Sequence, residues 1–251
     1  MRRHELLLGL HERLQPRSYL ELGVSTGSSM ALSRTRSIGV DPFFTIKNGL
    51  RCDVHLVRET SDGFFARPAP LEHFDQPVAD LAFIDGMHLA EYALRDFINT
   101  ERYTHPSSVL VLDDMLPRHP DEAGRNRALG RARGAWTGDV YKVTEALREL
   151  RPDLVVLEVD TTPTGTVVVL NPDADSDVLP RAYDDLVEAY VTPDPQRVAD
   201  EVLERTRAMD PATLLATPVW DGLRRLRTSE PGVARGEVAS LLGGAGLSTP
   251  A

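Results

Sequence analysis

The sequence predicts an α/β protein: a doubly wound, mostly parallel seven-stranded sheet with an antiparallel last strand, followed by a helical C-terminal extension. Three observations predict it. Short runs rich in Val, Ile and Leu alternate with segments of helical spacing up to about residue 150, the pattern of strand–helix–strand units. The two closing strands, "DLVVLEVD" and "TGTVVVLN", are joined only by "TTPTG", too short for a parallel crossover, so the last strand must reverse. Beyond Pro172 the chain reads as helices without strands.

Taken in order, "MRRHELLLGLHERL" is an amphipathic first helix; His11, Glu12 and Arg13 interrupt it too early for a secretory signal. "SYLELG" is a strand running into a glycine, and "VSTGSSMALSRTR" turns and opens a helix with serines and a threonine as caps. "SIGVD" and "DVHLVRE" are the second and third strands, and "SDGFFARPAP" is a turn with a short helical piece. "DLAFID" is the fourth strand, "LAEYALRDFINTERY" a helix and "SVLVLDD" the fifth strand. Residues 115–138 are irregular and rich in Arg; "DVYKVTEALREL" then places apolar residues at 140, 143, 147 and 150, which is helical spacing. We divide the chain into a sheet domain over 1–172, a helical extension over 173–242 and a disordered Gly-rich tail over 243–251. The extension's helices are read at "LPRAYDDLVEAYV", "PQRVADEVLERTRAM" and "PATLLATPVWDGLRRLR".

Composition narrows the function. The 251 residues carry a formal net charge of -10, so no general electrostatic footprint for nucleic acid or an anionic membrane exists. No apolar run approaches the ~20 residues of a membrane span. The lone Cys52 cannot form an internal disulfide, and a cytoplasmic location is the expectation.

The stretch "ELGVSTGSS" is a strand, a glycine turn and a helix start, where α/β folds bind nucleotide-like ligands. Ser25 stands where a dinucleotide fingerprint needs its second glycine, and no Gly-Lys-Ser/Thr follows for a phosphate loop. Glu21 before the turn would repel a pyrophosphate but favour S-adenosylmethionine (SAM), whose sulfonium and ammonium are cationic. Asp41, ending the second strand, is placed to accept from ribose hydroxyls, and Ser61 and Asp62 after the third strand could meet the adenine. The plainer alternative is a tight turn with a solvated Glu21.

The order of elements and the loop residues Glu21, Gly23, Thr26, Gly27 and Ser29 resemble class I SAM-dependent methyltransferases. Within these, the chain is similar to the metal-dependent O-methyltransferase branch holding the catechol, caffeoyl-CoA and macrolide-sugar enzymes. The resemblance covers roughly residues 15–172 and none of the extension. Together with the strand-end positions, it gives an expected SAM site of Glu21, Gly23, Ser25, Thr26, Gly27, Ser29, Asp41, Ser61, Asp62 and Asp85.

Two core strands end in acids, Asp85 in one and Asp113 with Asp114 in the other, and His88 follows Asp85 by three positions. Converging carboxylates repel one another unless a cation balances them. Oxygen ligands favour a hard ion, Mg²⁺ first, with Mn²⁺ or Ca²⁺ as alternatives. Such an ion would stabilise an alkoxide or phenolate, and His88 could take the acceptor's proton. The resemblance implies the same roles: Asp85, Asp113 and Asp114 as Mg²⁺ ligands, His88 as base. Asp114 stands where that family often has Asn, and the base is Lys in the catechol branch.

The function expected is therefore methyl transfer from SAM to a hydroxyl of a small molecule, a sugar or natural product. The arginines at 118, 125, 127, 131 and 133 could form a lid over an anionic or polyhydroxylated acceptor. The alternatives are a metal-independent methyltransferase, a non-catalytic methyltransferase-like partner subunit and a nicotinamide-dependent oxidoreductase. Apolar residues of the extension, among them Tyr183, Leu186, Tyr190, Leu203, Leu214, Leu215 and Trp220, suit either a cover for the sheet or a homodimer interface.

Overall fold

In the computed structural model, residues 1–132 and 134–250 are described. Arg133 lies outside them, and so does the side chain of Arg131, so the lid expectation for these two falls outside the described residues. Seven strands form one sheet: β1 (Ser18–Leu22), β2 (Arg36–Val40), β3 (Val54–Val57), β4 (Leu81–Ile84), β5 (Val109–Asp113), β6 (Val155–Val159) and β7 (Thr166–Leu170). Their spatial order is β3-β2-β1-β4-β5-β7-β6. β7 inserts between β5 and β6 and is antiparallel to both, as the short "TTPTG" connection requires.

Strand alternation sorts the core into two layers. Leu20, Leu22, Ala82, Ile84, Leu110 and Leu112 face one side, against Phe64 of α2 (Ser61–Phe65), Leu94 and Phe97 of α3 (Ala90–Glu101), and Val143 and Leu147 farther along. Tyr19, Leu81, Phe83, Val109 and Val111 face the other, against Leu6, Leu7, Leu10 and Leu14 of α1 (Arg3–Leu14). After β5 come α4 (Arg127–Ala132) and α5 (Tyr141–Leu150). Then follow α6 (Val178–Tyr190), α7 (Asp200–Leu203), α8 (Pro211–Ala216), α9 (Val219–Leu226) and α10 (Pro231–Gly244). Leu214, Leu215, Trp220 and Leu223 join α1 on the second face, so these helices complete a layer of the sandwich.

Three local expectations need correction. The segment after the glycine turn forms only a 3-10 turn at Met30–Leu32, not an α-helix. Its Ser and Thr hydroxyls bond locally instead: Thr26 with Ser28 (3.0 Å), Ser33 with Ser37 (2.9 Å) and Ser29 with Glu21 (2.7 Å). The helix expected over 195–209 shrinks to Asp200–Leu203. Residues just before it are drawn toward the 124–142 region: Asp194 accepts from the Arg125 and Asn126 amides (2.9 Å each), and Gln196 accepts from Lys142 Nζ (2.7 Å). Nor is the tail a disordered appendage. Its first residues continue α10, Leu247 is buried, and Thr249 both donates to the Leu154 carbonyl and accepts from the Val156 amide at the β6 edge.

Candidate active site

The parallel register builds the site. β1 and β4 pair Leu22 with Ile84, and β4 and β5 pair Ile84 with Leu112. The next residues, Gly23, Asp85 and Asp113, therefore stand side by side at the carboxyl ends of three adjacent strands. This edge is also the switch point between β1 and β4, where open α/β sheets bind ligands.

Gly23 has φ +92°, and a Cβ there would lie 1.9 Å from the Asp85 carbonyl oxygen, so only glycine lets the turn pass this close to β4. The turn is clamped from outside. Thr45 N–H donates to Ser25 O (2.8 Å), Lys47 N–H to Thr26 O (3.0 Å), and Ile46 packs where Gly27 would carry a side chain. Asp41 ties the end of β2 to the turn, accepting from the amides of Ser25 (2.7 Å) and Phe43 (2.6 Å).

Glu21 is not where the sequence argument needs it. It is fully buried, and its two oxygens accept from the hydroxyls of Tyr19 and Ser29, each at 2.7 Å. Burial pushes its pKa up to about 8 against those two hydrogen bonds. With both oxygens taken up by these hydroxyls and no exposed surface, Glu21 braces the turn from beneath. Asp62 is engaged by Arg95 through two contacts (2.5 and 2.6 Å), and the Ser61 hydroxyl bonds the buried Asp96. Both residues thus sit beside the edge but with partners of their own.

Around His88 the predicted residues do meet. Its Nε2 lies 3.2 Å from Asp85 Oδ1 and 3.2 Å from Asp114 Oδ2. Its Nδ1–H donates to the Trp136 carbonyl (3.0 Å), and the Trp136 ring stacks on the imidazole at 4.9 Å. Burial would lower the His88 pKa, but the Asp85 hydrogen bond, the charges of Asp114 and Asp85 and the Trp136 carbonyl raise it to about 9. Asp114 takes a left-handed backbone (φ 61°), which turns its side chain from the strand line toward His88. A Cβ on Gly138 would fall 1.6 Å from the His88 carbonyl oxygen, so the chain at Gly138 passes directly against this residue.

Sequence reasoning missed Arg3. At the start of α1, its guanidinium pairs with Asp113 Oδ2 and stands 3.9 Å from Asp85 and 4.0 Å from Asp114. Asp113 is still pushed well up by burial and by Asp114 and Asp85, against Arg3. No sequence signal joins Arg3 to Asp113 across 110 positions.

The oxygen-only Mg²⁺ site expected from Asp85, Asp113 and Asp114 does not fit this arrangement. The ligand atoms that converge within 4.8 Å belong to Asp85, His88 and Asp114. Asp113 is turned to Arg3, and an ion held by the other three would take the Nε2 lone pair that a base needs. The arginine-rich segment also differs from a free lid. Arg125 is held by Glu91 (2.6 Å) and the buried Asp139 (2.8 Å), and Arg127 lies 5.2 Å over the Trp136 ring.

Residues 20–115 match the family described as "Methyltransferase domain". No curated protein matches the chain. Among solved structures, the O-methyltransferase TomG from Streptomyces achromogenes, involved in tomaymycin synthesis and determined with SAM, is 20% identical. That match covers 68% of this chain and 79% of TomG, with a TM-score of 0.47. The SAH-bound methyltransferase PaMTH1 from Podospora anserina is 14% identical over 68% of this chain and 78% of its own, TM-score 0.47. An O-methyltransferase from Bacillus cereus in complex with SAH is 15% identical over 66% and 80%, TM-score 0.44. Likeness this distant adds nothing to the topology already described. The family match runs from within β1 to just past β5, the part of the sheet that holds the glycine turn and the strand-end acids.

Proposed function

We propose that the protein is a SAM-dependent O-methyltransferase acting on a hydroxyl of a small molecule, such as a sugar or natural product. The observation that carries the proposal is His88. Its Nδ1–H is fixed on the Trp136 carbonyl, which leaves Nε2 facing the strand-end cleft between two carboxylates. SAM would lie over the Gly23–Gly27 turn, with Asp41 at the ribose end, and supply an electrophilic methyl group. Neutral His88 takes the acceptor's hydroxyl proton at Nε2, and Asp85 and Asp114 stabilise the imidazolium that forms. Removing that proton turns a poor nucleophile into an alkoxide or phenolate aimed at the methyl group. Mg²⁺ assistance, expected from the sequence, is not used in this reading: Asp113 pairs with Arg3, and the ligand atoms that converge belong to Asp85, His88 and Asp114.

The test is transfer of labelled methyl from SAM to a panel of phenols, sugars and glycosylated aglycones. Label on oxygen is expected. His88→Ala should lower turnover by about 10²–10⁴, the usual contribution of a general base, with SAM affinity kept. Label on nitrogen or carbon, or full turnover in His88→Ala, would remove this reading.

A further inference from the structure

The acid cluster poses a charge problem that the mechanism above does not settle. Asp85, Asp113 and Asp114 converge in a partly dry edge, and Asp113 Oδ1 is buried without a hydrogen-bond partner. Among the described residues, those in ion-pair range of them are Arg3 and, when protonated, His88; His4 interacts with Asp85 from farther off. Arg3 does not arrive as a loose surface side chain. Residues 1 and 2 are docked by backbone: Thr162 N–H donates to Met1 O (3.0 Å), and Arg2 bridges Thr162 in parallel fashion. The loop that receives them is itself fixed to the end of β5, since Leu116 N–H donates to Thr164 O (2.7 Å). The guanidinium fork is thus held where it addresses all three carboxylates, and a planar fork with several donors suits such a set.

We propose that Arg3 is the resident cation of this site, standing in place of a divalent metal and keeping Asp85 and Asp114 aimed at His88. It is a positioning residue: it acts on the acids, and through them on the imidazole. The assignment follows from the acid cluster itself and depends on the methyltransferase reading only for what the cluster is used for. A divalent ion and the guanidinium compete for the same oxygens, so removing the arginine must open the cluster to metal.

The experiment uses the full chain and Mn²⁺ as the probe, followed by the spectroscopic signal of the free ion. Arg3→Ala should bind Mn²⁺ at least about tenfold more tightly than the wild type, the scale on which partners of metal ligands change affinity. Asp114→Asn added to Arg3→Ala should abolish the gain. A merely structural arginine would not produce that metal-specific gain. Equal or tighter Mn²⁺ binding by the wild type would overturn the assignment. Should Arg3→Ala fail to fold, the wild type decides alone: low-micromolar Mn²⁺ binding that Asp114→Asn removes overturns the proposal, and weak binding that Asp114→Asn leaves unchanged upholds it. SAM binding measured on the same samples separates this outcome from the fate of the proposed function.

Discussion

At the residue scale, His88 is held in the protonated form by the groups that aim it. With a pKa of about 9 it is mostly imidazolium at neutral pH, and only the neutral fraction can accept a proton. kcat/KM should therefore rise about tenfold per pH unit below the pKa and level off near 9. A profile flat between about pH 6.5 and 9 would contradict His88 as the base. The linkage sign is opposite for stability. A pKa raised above the ordinary ~6.5 stabilises the fold below that pH, and the contribution is lost as pH rises through about 9. The meeting of Asp85, His88 and Asp114 was legible because all three stand at or just past the ends of adjacent parallel strands. Arg3 was not, because its role depends on where α1 begins relative to the end of β5, a relation that no local pattern encodes.

At the element scale, the turn after β1 sets the site's dimensions. Gly23→Ala forces a side chain onto a left-handed backbone and against the Asp85 carbonyl. The clash is with backbone, so the β1 turn or the end of β4 must shift, and SAM affinity should fall by more than about tenfold, a 1 Å misplacement being enough for losses of that size. Calorimetry checks this, and unchanged affinity would show that the turn is not the binding loop. Strands were legible almost to the residue because short continuous apolar runs, buried on both faces, and strand-ending Gly or Asp are local signals. The helix expected after Gly27 was misread because its hydroxyls found partners in Glu21, Thr26 and Ser37 that compete with helical hydrogen bonds. Glu21 itself was read as solvent-facing or ligand-facing, since sequence gives an acid no sign of the Tyr19 and Ser29 hydroxyls that receive it.

At the scale of the whole molecule, the C-terminal helices are part of the fold that positions the site. α1, α8, α9 and α10 cover one sheet face together, and α1 carries Arg3 at its first turn. Trp220 is buried in this layer beside Leu215, and its Nε1–H donates to the Leu215 carbonyl (3.3 Å). Trp220→Ala should cost about 3–5 kcal/mol, a typical loss for a buried aromatic, measurable by denaturant unfolding. A loss below about 1 kcal/mol, the range of ordinary surface substitutions, would mean that the extension packs more loosely than described. Sequence offered two uses for these apolar residues, a sheet cover or a dimer interface. For Leu214, Leu215 and Trp220 the cover is what the fold contains. None of the described helices is long and apolar enough to cross a membrane.

The central claim, that the β1–β4 edge is a SAM site, is tested most directly by titrating SAM into the full chain in a calorimeter. One site per chain with micromolar affinity, lost in Gly23→Ala and kept in His88→Ala, is the result this account predicts. No binding by the wild type, with the fold intact by circular dichroism, would contradict it.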